Sequence, residues 1–304
     1  MRVALLSGGV GGARFARGLQ DALEHGELTI IGNVGDDLEV LGLHVSPDLD
    51  SILYTLAGLG DEERGWGRAG ETWNALGAVG AWGGEDWFKL GDLDLGLHLV
   101  RTQALENGIA LSGVTASLVE RADLGARLLP ATDDRLRTHV VTPAGTLAFQ
   151  EWFVARGHRD EVDGVVFEGS ESARPAPGVL NALDDAEAIL IAPSNPYVSI
   201  GPIVAVAEIR QALERRSARS VAVSPLIGGK AIKGPADRML SRMAGGTTPR
   251  HVVSCYAGLI DALVIDEADV PSEAPVPLVV TSTLMSDRDA ARRLAESVLE
   301  AACA

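Results

Sequence analysis

The apolar residues of this chain fall into short continuous runs, separated by longer segments with helical spacing. The runs predict strands at residues 3–6, 28–32, 188–192, 220–223, 262–265 and 278–281. The segments between them predict helices at 13–25, 50–59, 94–107, 111–121, 202–215, 235–243 and 287–301. Alternation of this kind predicts an α/β fold with a doubly wound, mainly parallel sheet. The middle of the chain breaks the rhythm. Residues 138–142, the tight Pro143-Ala144-Gly145 connection and residues 146–149 read as an antiparallel hairpin. Residues 111–182 are therefore expected to form a smaller inserted α+β lobe, with 1–110 and 183–304 as the core. A cleft between lobe and sheet is the natural ligand site.

Composition narrows the function. The chain has 304 residues, 46% of them hydrophobic, which is ample for one large domain. Its formal charge of −16 argues against nucleic acid as a partner. A phosphorylated small molecule remains open, because backbone dipoles and a metal act locally. Cys255 and Cys303 have no metal spacing and suggest no disulfide framework. The opening residues lack a signal-peptide pattern, and no run is long enough to cross a membrane. A cytoplasmic protein is the expectation.

The candidate chemistry begins after the first strand, at Ser7-Gly8-Gly9-Val10-Gly11-Gly12-Ala13-Arg14. Glycines between a strand and a helix let the backbone curl and leave its N–H groups open to an anion. Arg14 stands where a dinucleotide fingerprint needs its last glycine, and no Walker lysine follows. The loop is either a phosphate cradle or a plain tight turn. Arg14 is either a phosphate clamp or a solvated side chain.

An acidic cluster follows the second strand: Asp36, Asp37, Glu39, Asp48 and Asp50. Ser46 and Pro47 suit a helix N-cap and first turn, where Asp48 has either an ordinary role against the helix dipole or a part in the cluster's chemistry. Asp36, Asp37 and Asp50 are candidate ligands for magnesium or calcium. One of these aspartates could also orient a substrate hydroxyl or accept its proton. His44 reads as structural. Ser194 and Asn195 suit either ligand contact or turn chemistry. Lys230 and Lys233 follow a later strand and suit a phosphate, a base or solvent. Trp66, Trp73, Trp82 and Trp87 could pack a core or stack on a flat substrate. No Ser-His-Asp, Cys-His or zinc constellation is present.

Longer blocks carry a family likeness. They are residues 6–15, Gly35-Asp36-Asp37, Pro47-Asp48-Leu49-Asp50-Ser51, Tyr54-Thr55-Leu56, Arg64-Gly65-Trp66-Gly67 and Glu71-Thr72-Trp73-Asn74. Further along come residues 87–92, His98-Leu99-Val100-Arg101, residues 126–130, residues 149–152, residues 192–196, Ser224-Pro225 and Gly229-Lys230. Together they span nearly the whole chain, which resembles the CofD/FbiA transferases of deazaflavin coenzyme F-420 biosynthesis. The resemblance implies a Rossmann-like core with a smaller lobe, a homodimer and a magnesium requirement. It implies transfer of a phospho-lactyl or phospho-enolpyruvyl group from a guanosine diphosphate conjugate to the deazaflavin Fo. GMP leaves, and a guanylyltransferase supplies the donor.

Carried onto this chain, the resemblance assigns Gly9, Gly11, Gly12, Arg14, Ser194 and Asn195 to the donor nucleotide. Asp36, Asp37 and Asp50 are assigned to the metal, Asp36 and Asp50 to catalysis, and Asp50 and Trp87 to Fo. The first loop departs from the archaeal Gly-Thr-Gly-Thr pattern, which favours the enolpyruvyl donor. A YvcK-like nucleotide-sugar-binding regulator without transferase activity is the main rival. A nicotinamide dehydrogenase is a third reading.

Overall fold

In a computed structural model describing residues 1–304, all six apolar runs are strands of one sheet. They are β1 (Val3–Ser7), β2 (Leu28–Gly32), and, after β3 (Arg127–Pro130), β4 (Ala188–Ile191), β5 (Arg219–Val223), β6 (Ala262–Asp266) and β7 (Leu278–Thr281). The order across the sheet is β7-β6-β5-β4-β1-β2-β3, and every neighbouring pair is parallel. Every residue of β1, β2 and β6 is buried, as strands covered by helices on both faces must be. Register is fixed by the central strand: Leu5 lies between Ile30 of β2 and Leu190 of β4. The sheet is Rossmann-like, and its order reverses between β1 and β4. Loops leaving the two strands there diverge and open a crevice at their carboxyl ends.

Helix α1 (Gly9–Ala22) begins four residues before the expected start, so the glycine segment forms its first turn. Gly9 alone among Gly8, Gly9, Gly11 and Gly12 is left-handed, with φ of 67°. Helix α2 (Pro47–Leu56) starts at the proline, with Asp48 and Asp50 in its first turn. Helix α3 (Asp92–Glu106) turns Asp94, His98 and Arg101 inward. The helix expected at 202–215 is broken, with a π-turn at Pro196–Ile200 followed by helices Gly201–Ala205 and Ala207–Arg215. Helices at Asn74–Ala81 and Pro249–Cys255 were not predicted.

The lobe is smaller than residues 111–182. Its hairpin strand Arg137–Thr142 lies between Gly145–Ala148 and Gly164–Glu168 in an antiparallel sheet. Val140, Phe149, Trp152 and Val162 form its core, closed by Val198 and Met239 from the main body. Leu111, Leu124, Leu128, Leu129, Ala176 and Val179 instead join the main hydrophobic core. β3 is the edge strand of the central sheet, paired with β2. No helix is long and apolar enough to cross a membrane.

Candidate active site

A cavity of about 570 Å³ sits over the crevice. Gly8, Gly9, Gly11 and Arg14 line it after β1, and Pro193, Ser194, Asn195 and Ser199 after β4. Phe149, Gln150 and Phe153 close it from the lobe. The first turn of α1 thus faces the cavity, where the leading N–H groups of a helix favour an anion, and that of Gly9 already bonds the Asp48 carboxylate.

Gly12 is not among the lining residues, contrary to the expectation for it. A Cβ there would collide with the Ser7 hydroxyl and lie 2.7 Å from Ser194 Oγ. Its bareness serves chain packing. Ser194 Oγ donates to the Gly8 carbonyl at 2.7 Å, tying the two loops of the crevice together. Asn195 caps the π-turn through a 2.9 Å bond from Tyr197 N–H, so its carbonyl oxygen is engaged.

Two carboxylates meet beside the α1 N-terminus. Asn33 Nδ2 donates to Asp36 Oδ1 at 2.8 Å and to Asp48 Oδ2 at 2.9 Å. Both aspartates are buried and line the cavity. Burial, and then the Asp48 and Asp37 charges, push the Asp36 carboxyl well above the usual carboxylate range. Burial likewise pushes Asp48 up to about 6. Asp48 Oδ2 lies 2.5 Å from where a Gly8 Cβ would stand, so a side chain at Gly8 would displace the carboxylate.

The other two aspartates are engaged elsewhere. Asp37 Oδ2 accepts from Ser46 Oγ at 2.8 Å and lies 3.0 Å from His44 Nε2. That contact pins the hairpin formed by Leu38–Val40 and Leu43–Val45. Asp37 does not line the cavity. Asp50 does, but both its oxygens bond Arg101 of α3, one of them from Nη1 at 3.0 Å. His98 Nδ1 stands 3.8 Å from Asp50 Oδ2.

Asp36, Asp37 and Asp50 therefore do not converge on one cation, and no group of three acids, histidines or cysteines is placed to hold a metal. Magnesium commonly takes only one or two carboxylates, with waters and substrate oxygens completing its shell. The buried Asp36–Asp48 pair fits that need, because two close carboxylates with raised pKa values gain most from a cation.

Asn33, Tyr54, Asp94, His98 and Arg101 carry no individual role in the sequence reading. Arg101 is 2% exposed. Its signal was an inward polar pair, His98 and Arg101, three residues apart on one helix. Burial pushes Asp94 up to about 6 and His98 down to about 4. A buried imidazole that refuses a proton makes the fold lose stability as pH falls from 6.5 toward 4, since the unfolded chain accepts that proton. Asp94 contributes with the opposite sign in both wild type and variant. His98→Gln is thus expected to flatten the fall in denaturation midpoint over that window. Identical slopes would contradict it.

Trp87 lies outside the cavity, packed edge-on against Phe88 at 5.6 Å. The Phe, Tyr and Trp residues that reach the space are Tyr54, Trp66, Phe88, Phe149 and Phe153. Arg64 lies 5.4 Å from the Trp66 ring and 5.2 Å from that of Trp73.

An all-parallel, doubly wound sheet with its cavity at the point of strand reversal places the chain among ligand-binding α/β proteins. Within that class, the chain belongs to the 2-phospho-L-lactate transferase CofD family, whose model matches residues 3–299. It is a CofD-type transferase. A phosphoenolpyruvate transferase of Streptomyces coelicolor is 42% identical over 98% of this chain and 97% of its own length. One from Thermobifida fusca is 43% identical over 99% of this chain and 98% of its own. The fold also matches a UPF0052-family protein from Bacillus halodurans, with a TM-score of 0.67 at 17% identity, covering 98% of both chains. That likeness concerns architecture alone.

Proposed function

We propose that the chain transfers a phospho-enolpyruvyl group from a guanosine diphosphate conjugate to the deazaflavin Fo, giving dehydro coenzyme F-420-0 and GMP. The observation that carries this reading is the grouping of Asp36, Asp48 and Asp50 around one cavity that opens on the α1 N-terminus. The names of the relatives from Streptomyces coelicolor and Thermobifida fusca favour the enolpyruvyl over the lactyl donor.

In this reading the N–H groups of Val10 and Gly11 bind the donor's diphosphate. Asp36 and Asp48, in place of the triad expected from sequence, are the residues that would hold magnesium. The ion would supply charge neutralisation on the diphosphate. Asp50 orients the terminal ribityl hydroxyl of Fo and accepts its proton. The hydroxyl oxygen bonds the phosphorus distal to guanosine. The bond from that phosphorus to the bridging oxygen breaks, and GMP leaves with the electron pair. Positioning and electrostatics suffice, with no covalent enzyme intermediate. Trp66, rather than Trp87, is the ring assigned to Fo, because it lines the cavity and Trp87 does not.

The test is mass spectrometry of products from Fo, GTP and either phosphoenolpyruvate or 2-phospholactate, with magnesium and a guanylyltransferase supplying the donor. Fo-dependent GMP release with phosphoenolpyruvate is expected. Absence of Fo-dependent product with both donors would defeat the reading, and UDP-sugar binding without turnover would favour the regulatory rival.

A further inference from the structure

We infer that Arg14 and Lys233 form an anion subsite that takes the carboxylate of the transferred three-carbon group. The inference rests on the donor reading above and adds the part of the cavity that would recognise the group being moved.

Cations are scarce in this chain, with 26 basic residues against 42 acidic ones and only three lysines. Three Arg or Lys side chains line the cavity, Arg14, Lys89 and Lys233. Lys89 Nζ donates to the Asp86 carbonyl at 3.0 Å. Arg14 and Lys233 differ. Both line the cavity, and neither enters an ion pair. The one hydrogen bond of Arg14 is a 3.4 Å contact to the Met285 carbonyl, and Lys233 makes none. Glu62, whose charge feels Arg14, is bonded by Arg17 at 2.7 Å.

The two cations also converge. A methyl group added at Gly65 would collide with Lys233 Nζ and lie 3.9 Å from Arg14 Nη2. Gly65 has a φ of 72°, which holds the backbone between them without a side chain. Two like charges brought together repel each other, and a bound anion relieves that repulsion. A planar guanidinium beside a compact ammonium suits a carboxylate, with fork-like bonds from one and a point charge from the other.

The position within the cavity selects which anion. The donor carries two phosphoryl groups and one carboxylate. The phosphoryl groups have their partners at the α1 N-terminus and the Asp36–Asp48 pair. Arg14 stands about 7 Å along the α1 axis from Gly9, more than one turn beyond that end. The carboxylate is the donor's remaining charge, and this is the remaining unpaired cationic site.

The experiment is titration calorimetry of the full chain with magnesium, comparing GDP with the guanosine-diphospho-enolpyruvyl conjugate. Wild type should bind the conjugate more tightly than GDP. Lys233→Met should weaken the conjugate ~10–100-fold, as loss of a charged hydrogen bond does, and leave GDP within about twofold. Lys233→Arg should retain the preference. Equal weakening of both ligands would make Lys233 a phosphate contact and overturn the inference. So would an unchanged preference in Lys233→Met, or a wild type that binds the two ligands alike. No acceptor is needed, so a chain that binds the conjugate but does not convert Fo would count against the acceptor reading alone.

Discussion

Asp50→Asn is expected to lower turnover by ~10²–10⁴-fold, the range a positioned acid–base group contributes. Asp50 is the one carboxylate in the cavity that is both fixed by a cation and free of the Asn33 amide. Asparagine keeps a carbonyl oxygen for Arg101 but cannot take a proton at neutral pH. Loss should therefore appear in kcat more than in the KM for the donor. Rates must be normalised to folded protein by circular dichroism, because the change leaves the Arg101 charge poorly matched. Turnover within about threefold of wild type would remove Asp50 from proton transfer, since that is far below the acid–base range.

Arg101→Met is expected to cost about 3–5 kcal/mol of stability in a denaturant titration, as breaking a buried ion pair does. The carboxylate of Asp50, 5% exposed, would stay behind without its counter-charge. The double variant Asp50→Asn, Arg101→Met should recover much of that loss, because no buried charge is left alone. It should stay as inactive as Asp50→Asn. A single Arg101→Met variant costing less than about 1 kcal/mol would mean that the pair behaves like an exposed one.

The central sheet was legible because its strands are continuous apolar runs, buried on both faces in β1, β2 and β6. β3 was not. Arg127-Leu128-Leu129-Pro130 has two core side chains, an exposed arginine and a proline, too little to stand out between longer segments. The start of α1 was hidden for another reason. Gly-Val-Gly-Gly has poor helix propensity, yet the turn is held in place by packing against Ser7, Ser194 and Pro193.

The acidic cluster was legible as a cluster and not as a set of roles. Which aspartate faces a ligand depends on partners far away in sequence. Arg101 binds Asp50 across 51 residues, and Gln150 approaches Asp36 across 114. Asn33 is only three residues from Asp36, but its second carboxylate, Asp48, is 15 away. Spacing cannot reveal such choices. The same holds for the tryptophans: sequence shows that Trp66 and Trp87 are near each other, and only the path of the chain shows which lines the cavity.

The crevice between β1 and β4 has a consequence for how the molecule is made. Gly8 to Gly11 emerge from the ribosome more than 180 residues ahead of Pro193 to Ser199. One wall of the nucleotide-facing gap must wait for the other. A ligand can lend its binding energy only to a polypeptide that already has both walls. Nascent chains must reach that point on hydrophobic burial alone, and the cell's supply of substrate can protect the finished protein but not its precursors.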